Sequence, residues 1–571
     1  MPDKYNVKFK QYWGHDKLKP LQKQIIKTIV EEPGDSLVVM RTGFGKSVCY
    51  QLPFLLMNKS IVVVSPLIAL MEDQKQSLID KNIPVIALNS TMTPKEKEDE
   101  KNKILKGENK IIYMSPEYLT GSYDFIYTLY ENNQLAFIAI DEAHCVSSWG
   151  HDFRPDYNAL SCLKEWMEDI PIMALTATAT KKTRDDIVET LNLEEYYEFV
   201  SSFDRPNLYL ECKQKSSSIE KDFDHYVNNY YDHYCIVYAR TIDNVKKVCE
   251  HINNCGIEAH EYHGKMTSKQ RSDVQTRFSN GEFKWIIATV AFGMGIDQDI
   301  TLVIHYGAPG DLESYYQEIG RAGRNGEASI CSMIFGNGDM VVNRLLLNDE
   351  VTREHKKYKE RQIKYMEEFI RDNVCRRKNL LKYFGEKVKK TNCGNCDNCL
   401  RDQTLTTSIN EGLQWPLFAF KCFMAHESVY SGITNIVNVI LGKKIKAIEK
   451  YHKCLFFNIG KKYCSDPKFW KKISEILLLN EYIEDETIPS GRGVVLKPTL
   501  KLKSWYNDIK PIVRENQLKG FDIDNYMVIK HLVNEEYEIP STCMDIEPYI
   551  KKHTVTALEE GIQAELSRLL T

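Results

Sequence analysis

From residue 36 to about 200, short runs dense in aliphatic and β-branched residues alternate with amphipathic stretches of helix length. The runs are SLVVM (36–40), IVVVSP (61–66), PVIAL (84–88), KIIYMSP (110–116), LAFIAID (135–141) and IPIMALTAT (170–178). Strand-like runs separated by helical ones predict a parallel sheet with crossover helices. After the connecting segment SSFDRPNLYL (201–210) the alternation resumes with YCIVYAR, EAHEYHG, WIIATV, TLVIHYG and ASICSMIF, ending at 335. Two α/β domains in series are predicted. Beyond about 345 the pattern turns helical and basic and reaches a cysteine cluster, TNCGNCDNCL (391–400). Past 405 follows a distinct segment of helices and a turn-linked pair of strands. Residues 506–571 are acidic and helical in pattern, without an assignable fold.

Composition narrows the class. A chain of 571 residues with 43% hydrophobic and 27% charged content is an ordinary multidomain globular protein. The start, MPDKYNVKFK, is charged, and no apolar run approaches a membrane span, so an intracellular protein, nuclear or cytoplasmic, with no membrane partner is expected. Most of the 16 cysteines stand singly in apolar segments and read as reduced core residues. The net charge of -4 announces no nucleic-acid partner, so any such partner must be held by local patches.

Three stretches carry phosphate chemistry. MRTGFGKS (40–47) joins a strand to a helix, the context in which backbone N–H groups meet phosphates. Thr42, Gly43 and Gly45 would form the loop, Lys46 would reach the β and γ phosphates, and Ser47 would hold Mg²⁺; Met40 replaces the usual first glycine. LAFIAIDEAH (135–144) is a buried strand ending in Asp141, for the metal, and Glu142, for the attacking water. YYQEIGRAGRNG (315–326), in the second domain, offers Arg321 and Arg324 to neutralise charge on the transferring phosphoryl group. Directly after the carboxylates, CVSSWGHDFRPDY (145–157) is rich in aromatic and basic residues; Trp149, Phe153 and Arg154 suit base stacking and phosphate contact. Cys393, Cys396 and Cys399 supply three thiols where a structural zinc takes four ligands.

These stretches, with YWGHDKLKPLQ (12–22), VVVSPLIALMEDQ (62–74), YMSPEYL (113–119), ALTATAT (174–180), IVYART (236–241) and ATVAFGMGIDQDITLVIHYGAP (288–309), resemble the superfamily-two helicases. Within them the resemblance is to the RecQ DNA helicases, the Werner-type members above all, over roughly residues 8–505. It implies two RecA-like parallel-sheet motor domains (9–205 and 206–345) after a short tail (1–8), a helical zinc-binding hairpin (346–402) and a winged-helix domain (408–505). It implies an ATP-dependent DNA helicase moving 3′ to 5′ on single-stranded DNA and opening forked or structured duplexes in replication, recombination or repair. Gln22 would read the adenine, flanked by His15 and Lys19, where many relatives carry an aromatic residue and an arginine. Asp297 and Gln317 would couple cleft closure to the nucleotide, and His144 would link the cleft to the DNA track. The family's four-cysteine clip makes Cys375, in VCRRKNLLKYFGE (374–386), the fourth zinc ligand. The winged helix carries ten lysines against three acids over 441–475, a patch suited to duplex phosphates. Relatives often place an aromatic residue at the wing tip; here the tip is PSGRG (489–493), which leaves Arg492 or the turn backbone as the wedge.

Overall fold

The structure, a computed structural model, describes residues 3–507 apart from 148–153, 217, 290–291, 293–297, 337, 346, 348–352, 390, 402–412, 414–415, 426–427, 453–456, 459–463 and 488–493. Seven strands form the first sheet: β1 (Ser36–Val39), β2 (Ser60–Val64), β3 (Val85–Leu88), β4 (Ile111–Met114), β5 (Leu135–Ile140), β6 (Ile172–Thr176) and β7 (Tyr197–Val200). All neighbours are parallel, in the order β3-β4-β2-β5-β6-β1-β7. Helices cover both faces, which is why the strands read as continuous apolar runs. Along β1 the side chains alternate between two cores, Leu37 and Val39 in one, Val38 and the following Met40 in the other.

The second sheet holds β8 (Leu208–Gln214), β9 (Cys235–Ala239), β10 (Ala259–Tyr262), β11 (Trp285–Ala288), β12 (Leu302–Tyr306) and β13 (Ser329–Phe335). It too is parallel, in the order β10-β11-β9-β12-β13-β8. Because every strand in both sheets runs the same way, the loops after the strands gather at one edge of each sheet, where α/β proteins bind their ligands.

Three elements depart from the sequence expectations. The segment read as a tail is part of the first domain: a helix, Lys4–Trp13, starts on an Asp3 N-cap, and its Tyr5 and Phe9 pack against Leu18, Ile26, Val48 and Leu52. β7 is an edge strand with one buried side chain, Phe199, too polar to stand out. β8 begins inside the segment read as a connector and pairs along its whole length with β13.

A helix, Arg353–Arg371, leads from the second sheet to a hairpin built on the helix Arg376–Tyr383 and the short helix Asp397–Leu400. Beyond it the helices Ile433–Ile440 and Pro467–Leu479 and the antiparallel pair β14 (Ile483–Thr487) and β15 (Val494–Pro498) enclose a separate core around Phe420, Phe423, Ile436, Trp470 and Ile473. Ser431 bridges to Leu496 beside that pair. Two helices followed by a hairpin are consistent with a winged-helix arrangement. The tip with Arg492, and 508–571, lie outside the described residues. Among the described residues no helix is long and apolar enough to cross a membrane.

Candidate functional site

The loop after β1 passes from Met40 to Ser47 and enters the helix Val48–Met57. Gly43 and Gly45 take the left-handed backbone, with φ of 75° and 86°. Gln22 grips this loop: its Nε2 donates to the carbonyls of Phe44 and Gly45, each at 3.1 Å, while its Oε1 accepts from Lys19 N at 2.9 Å. Any side chain at Gly45 would collide, because a Cβ there would lie 2.5 Å from Gln22 Nε2. Lys19 Nζ also donates to Phe44 O, at 3.1 Å, and stands 4.2 Å from the centre of the Phe44 ring. Gln22 and Lys19 therefore meet at the phosphate loop, whereas His15 is exposed, its ring 5.8 Å from that of Phe9.

Lys46 crosses the end of β6 to the carboxylates that follow β5. Its Nζ lies 3.3 Å from Glu142 Oε1 and 4.0 Å from Asp141 Oδ1, with all three side chains largely buried. Burial pushes Asp141 up to about 6, against the pull of the Lys46 ammonium and with help from the Glu142 charge. The Lys46 ammonium is thus shared between two largely buried carboxylates, and Arg324 brings a second positive side chain to the same loop. Glu142 has φ of 49°, uncommon for a residue with a side chain, so its carboxylate is held by the fold in a strained turn. His144 continues the line: its Nδ1 lies 3.3 Å from Glu142 Oε2 and 2.9 Å from Thr176 Oγ1, and Thr176 Oγ1 in turn donates to Thr178 O at 3.1 Å.

The second sheet brings its arginine turn to the same loop. The helix Leu312–Ile319 carries half-buried Gln317 and ends at Gly320, and the turn then presents Arg321 and Arg324. The stem of Arg324 covers Gly43 so closely that a Cβ there would lie 3.0 Å from Arg324 Cγ. Gly320 likewise packs on Thr42, with 3.1 Å between a Cβ at 320 and Thr42 Cβ. Arg321 is buried, hydrogen-bonded to Tyr238. The structure thus brings Thr42, Gly43, Gly45, Lys46, Asp141, Glu142 and Arg324 together, although they come from two sheets. Asp297 lies outside the described residues.

Cys375, Cys393, Cys396 and Cys399 converge so that their sulfur atoms all lie within 4.8 Å of one another. Four thiolates at about 2.3 Å from a tetrahedral zinc stand about 3.8 Å apart, so this donor set fits the ion. Cys375 caps the helix Arg376–Tyr383, accepting from Lys378 N at 3.4 Å, and Asn395 N points at Cys393 Sγ at the same distance. The hydrogen bond from Cys396 lowers the Cys375 thiol, while Cys396 itself, donating, is pushed up to about 12. Next to the thiols, buried Arg376 makes a paired contact with Asp397, at 2.9 and 3.1 Å, and Asp397 Oδ2 accepts from Cys212 N on β8 at 3.1 Å.

Of the residues expected to meet DNA, Trp149 and Phe153 lie outside the described residues. Arg154 donates to Pro66 O at 2.8 Å, so part of its guanidinium is spent on the backbone after β2. Sequence reasoning missed the connector 201–207. Its Arg205 is 7% exposed and hydrogen-bonds the arginine turn; the stretch FDRPN between two domains was the only available signal. It also missed a buried pair, His305 on β12 and Glu318 on the helix Leu312–Ile319, at 2.8 Å.

Known proteins resemble this chain over most of its length. Residues 19–187 match the DEAD/DEAH box helicase model, 219–326 the helicase conserved C-terminal domain and 337–400 the RecQ zinc-binding model. The ATP-dependent DNA helicase RecQ of Bacillus subtilis is 36% identical over 439 residues, covering 76% of this chain and 73% of that one. A putative ATP-dependent RNA helicase of Acanthamoeba polyphaga mimivirus is 34% identical, covering 87% of this chain and 91% of its own. The mouse bifunctional 3′-5′ exonuclease/ATP-dependent helicase WRN is 34% identical over 523 residues, and the match spans 37% of its length. The crystal structure of the DUF1998 helicase MrfA bound to DNA shares the fold, at TM-score 0.50 and 20% identity over 60% of this chain and 53% of that one.

Proposed function

The chain belongs to the RecQ family of ATP-dependent DNA helicases, and on that premise we propose that it hydrolyses ATP in the cleft between its two sheets to move 3′ to 5′ on single-stranded DNA and open forked or structured duplexes. The observation that carries this reading is the meeting of Lys46, Glu142 and Arg324 at one phosphate loop from opposite sheets. Closure and opening of such a cleft over the nucleotide cycle convert differential affinity for a strand into movement.

In this reading Lys46 neutralises the phosphates, Ser47 and Asp141 hold Mg²⁺, and Glu142 orients the attacking water. Arg324 and Arg321 stabilise charge on the transferring group, while Gln317 and Asp297 tie closure to it. Gln22 reads the adenine beside Lys19 and His15. His144, between Glu142 and the turn at Thr176, transmits strand occupancy from Trp149, Phe153 and Arg154. Zinc on Cys375, Cys393, Cys396 and Cys399 is structural, and Arg492 at the wing tip meets the duplex. The protein would work on DNA in the nucleus or cytoplasm.

The test is ATP hydrolysis with single-stranded DNA and with RNA, followed by unwinding of duplexes tailed at the 3′ or the 5′ end. Stimulation by DNA and unwinding from a 3′ tail are expected. The mimivirus relative's name favours a second reading, an RNA helicase; RNA stimulation exceeding that of DNA would establish it and displace the first.

A further inference from the structure

Between the sheets the chain passes through 201–207, and Arg205 sits there almost wholly buried. Its guanidinium donates to three main-chain oxygens of the arginine turn, Gly320 O at 3.3 Å, Ala322 O at 2.6 Å and Gly323 O at 2.8 Å. Gly320 ends the helix Leu312–Ile319, where carbonyls have no partner within the helix. Asn207 adds bonds from Nδ2 to Gly323 O at 3.0 Å and Glu327 O at 2.8 Å. Gly323 has φ of 55°, and a Cβ there would lie 2.4 Å from Asn207 Nδ2, so turn and connector interlock. The oxygens that Arg205 holds bracket Arg321 and end one residue before Arg324.

The same short segment is fixed from two other sides. Arg41, in the phosphate loop, donates from its main chain to Ser201 Oγ at 3.2 Å and from its guanidinium to Asp204 O. Arg377, two residues after Cys375, donates to Asp204 Oδ1 at 3.0 Å and to Arg205 O. Phe203 stacks on Phe384, ring centres 4.5 Å apart. Arg205 therefore stands where the phosphate loop, the arginine turn and the cysteine hairpin are mechanically joined.

We infer that Arg205 is a positioning residue for phosphoryl transfer: by holding the carbonyls of Gly320, Ala322 and Gly323 it fixes the turn that carries Arg321 and sets where Arg324 stands over the phosphate loop. It touches no nucleotide and acts through those arginines. A planar guanidinium can serve several carbonyls in fixed directions, which a lysine ammonium cannot. Displacing a transition-state group by about 1 Å is enough to cost on the order of 100-fold in rate.

The inference rests on the ATPase assigned above, and the test separates the two. R205K, N207A, R324A and the double variant R205K/R324A are compared for DNA-saturated hydrolysis and for binding of ADP alone and ADP with aluminium fluoride. R205K is expected to lower kcat by about 10- to 100-fold, to leave ADP affinity within about twofold and to weaken the fluoride complex. The double variant should turn over no more slowly than R324A, because one residue acts through the other. N207A loosens the same turn more gently, should show a smaller fall of the same kind, and decides the matter if R205K does not fold. An R205K or N207A kcat equal to wild type, equal weakening of ADP and the fluoride complex, or multiplying losses in the double variant would overturn the positioning role. Full turnover by R324A would remove the cleft assignment, and this inference with it.

Discussion

The nucleotide cleft and the cysteine hairpin are both clusters of reactive side chains drawn from distant parts of the sequence, but their electrostatics differ. In the cleft Lys46 faces two carboxylates, Asp141 is pushed up by burial, and Glu142 stands in a strained left-handed turn. In the hairpin the charges close on themselves: Arg376 is matched to Asp397, which accepts from the backbone of β8, and the four thiols are a complete ligand set. The cleft keeps a strained turn and a carboxyl pushed up by burial, the features of a site that meets a substrate which arrives and leaves. The hairpin spends its groups on holding itself together, as expected of a structural metal site. The difference separates chemistry from architecture without reference to any motif.

The sharpest way to break the comparison is to remove a group from each side. E142Q should lower DNA-stimulated kcat by about 10³-fold while nucleotide binding and thermal stability stay near wild type, as measured by steady-state hydrolysis and calorimetry. C396S should do the reverse, losing the metal and lowering the thermal midpoint by on the order of 10 °C. Metal analysis expects about one zinc per chain in the wild type, a stoichiometry set by the four-thiol site. A C396S protein with normal stability but no hydrolysis would reverse the two roles.

R376A asks whether the hairpin's strength lies in its metal or in its buried ion pair. All four thiols remain, yet leaving Asp397 without its partner should cost about 3–5 kcal/mol in a denaturant titration. A smaller effect belongs to the DNA side. W149A should remove about 1–3 kcal/mol of base stacking, leaving basal hydrolysis intact and its stimulation by single-stranded DNA blunted. R154A should change less, because its guanidinium already serves Pro66 O. The smallest effect is expected at the tie to β14, where Arg344 meets Asp485 at 3.0 Å, both about one quarter exposed. D485N should cost roughly 0.2–1 kcal/mol, visible only as a slight shift in the unfolding midpoint.

Residues working within one local motif were legible in the sequence. The phosphate loop, the carboxylates after β5 and the two arginines each stand out as candidates by their neighbouring residues, and apolar runs located eleven of the parallel strands. What stayed hidden has physical causes. β7 is an edge strand with a mostly exposed surface, and β8 starts two residues after Pro206 in a stretch read as a connector. The helix Lys4–Trp13 buries only Tyr5 and Phe9 among polar residues, so its pattern is faint. Arg205 looks like any charged connector residue, because its partners are backbone carbonyls more than a hundred positions away. Backbone acceptors leave no mark in a sequence. That Arg154 is bonded to Pro66 O was hidden for the same reason.

The central claim, that hydrolysis in this cleft drives strand separation on DNA, is tested most directly by unwinding of a 3′-tailed DNA fork by wild type and by E142Q at equal DNA occupancy. The account predicts strand release by wild type with ATP, none with a non-hydrolysable analogue, and none by E142Q although it binds both fork and nucleotide. Strand release by E142Q, or by wild type with the analogue, would contradict it.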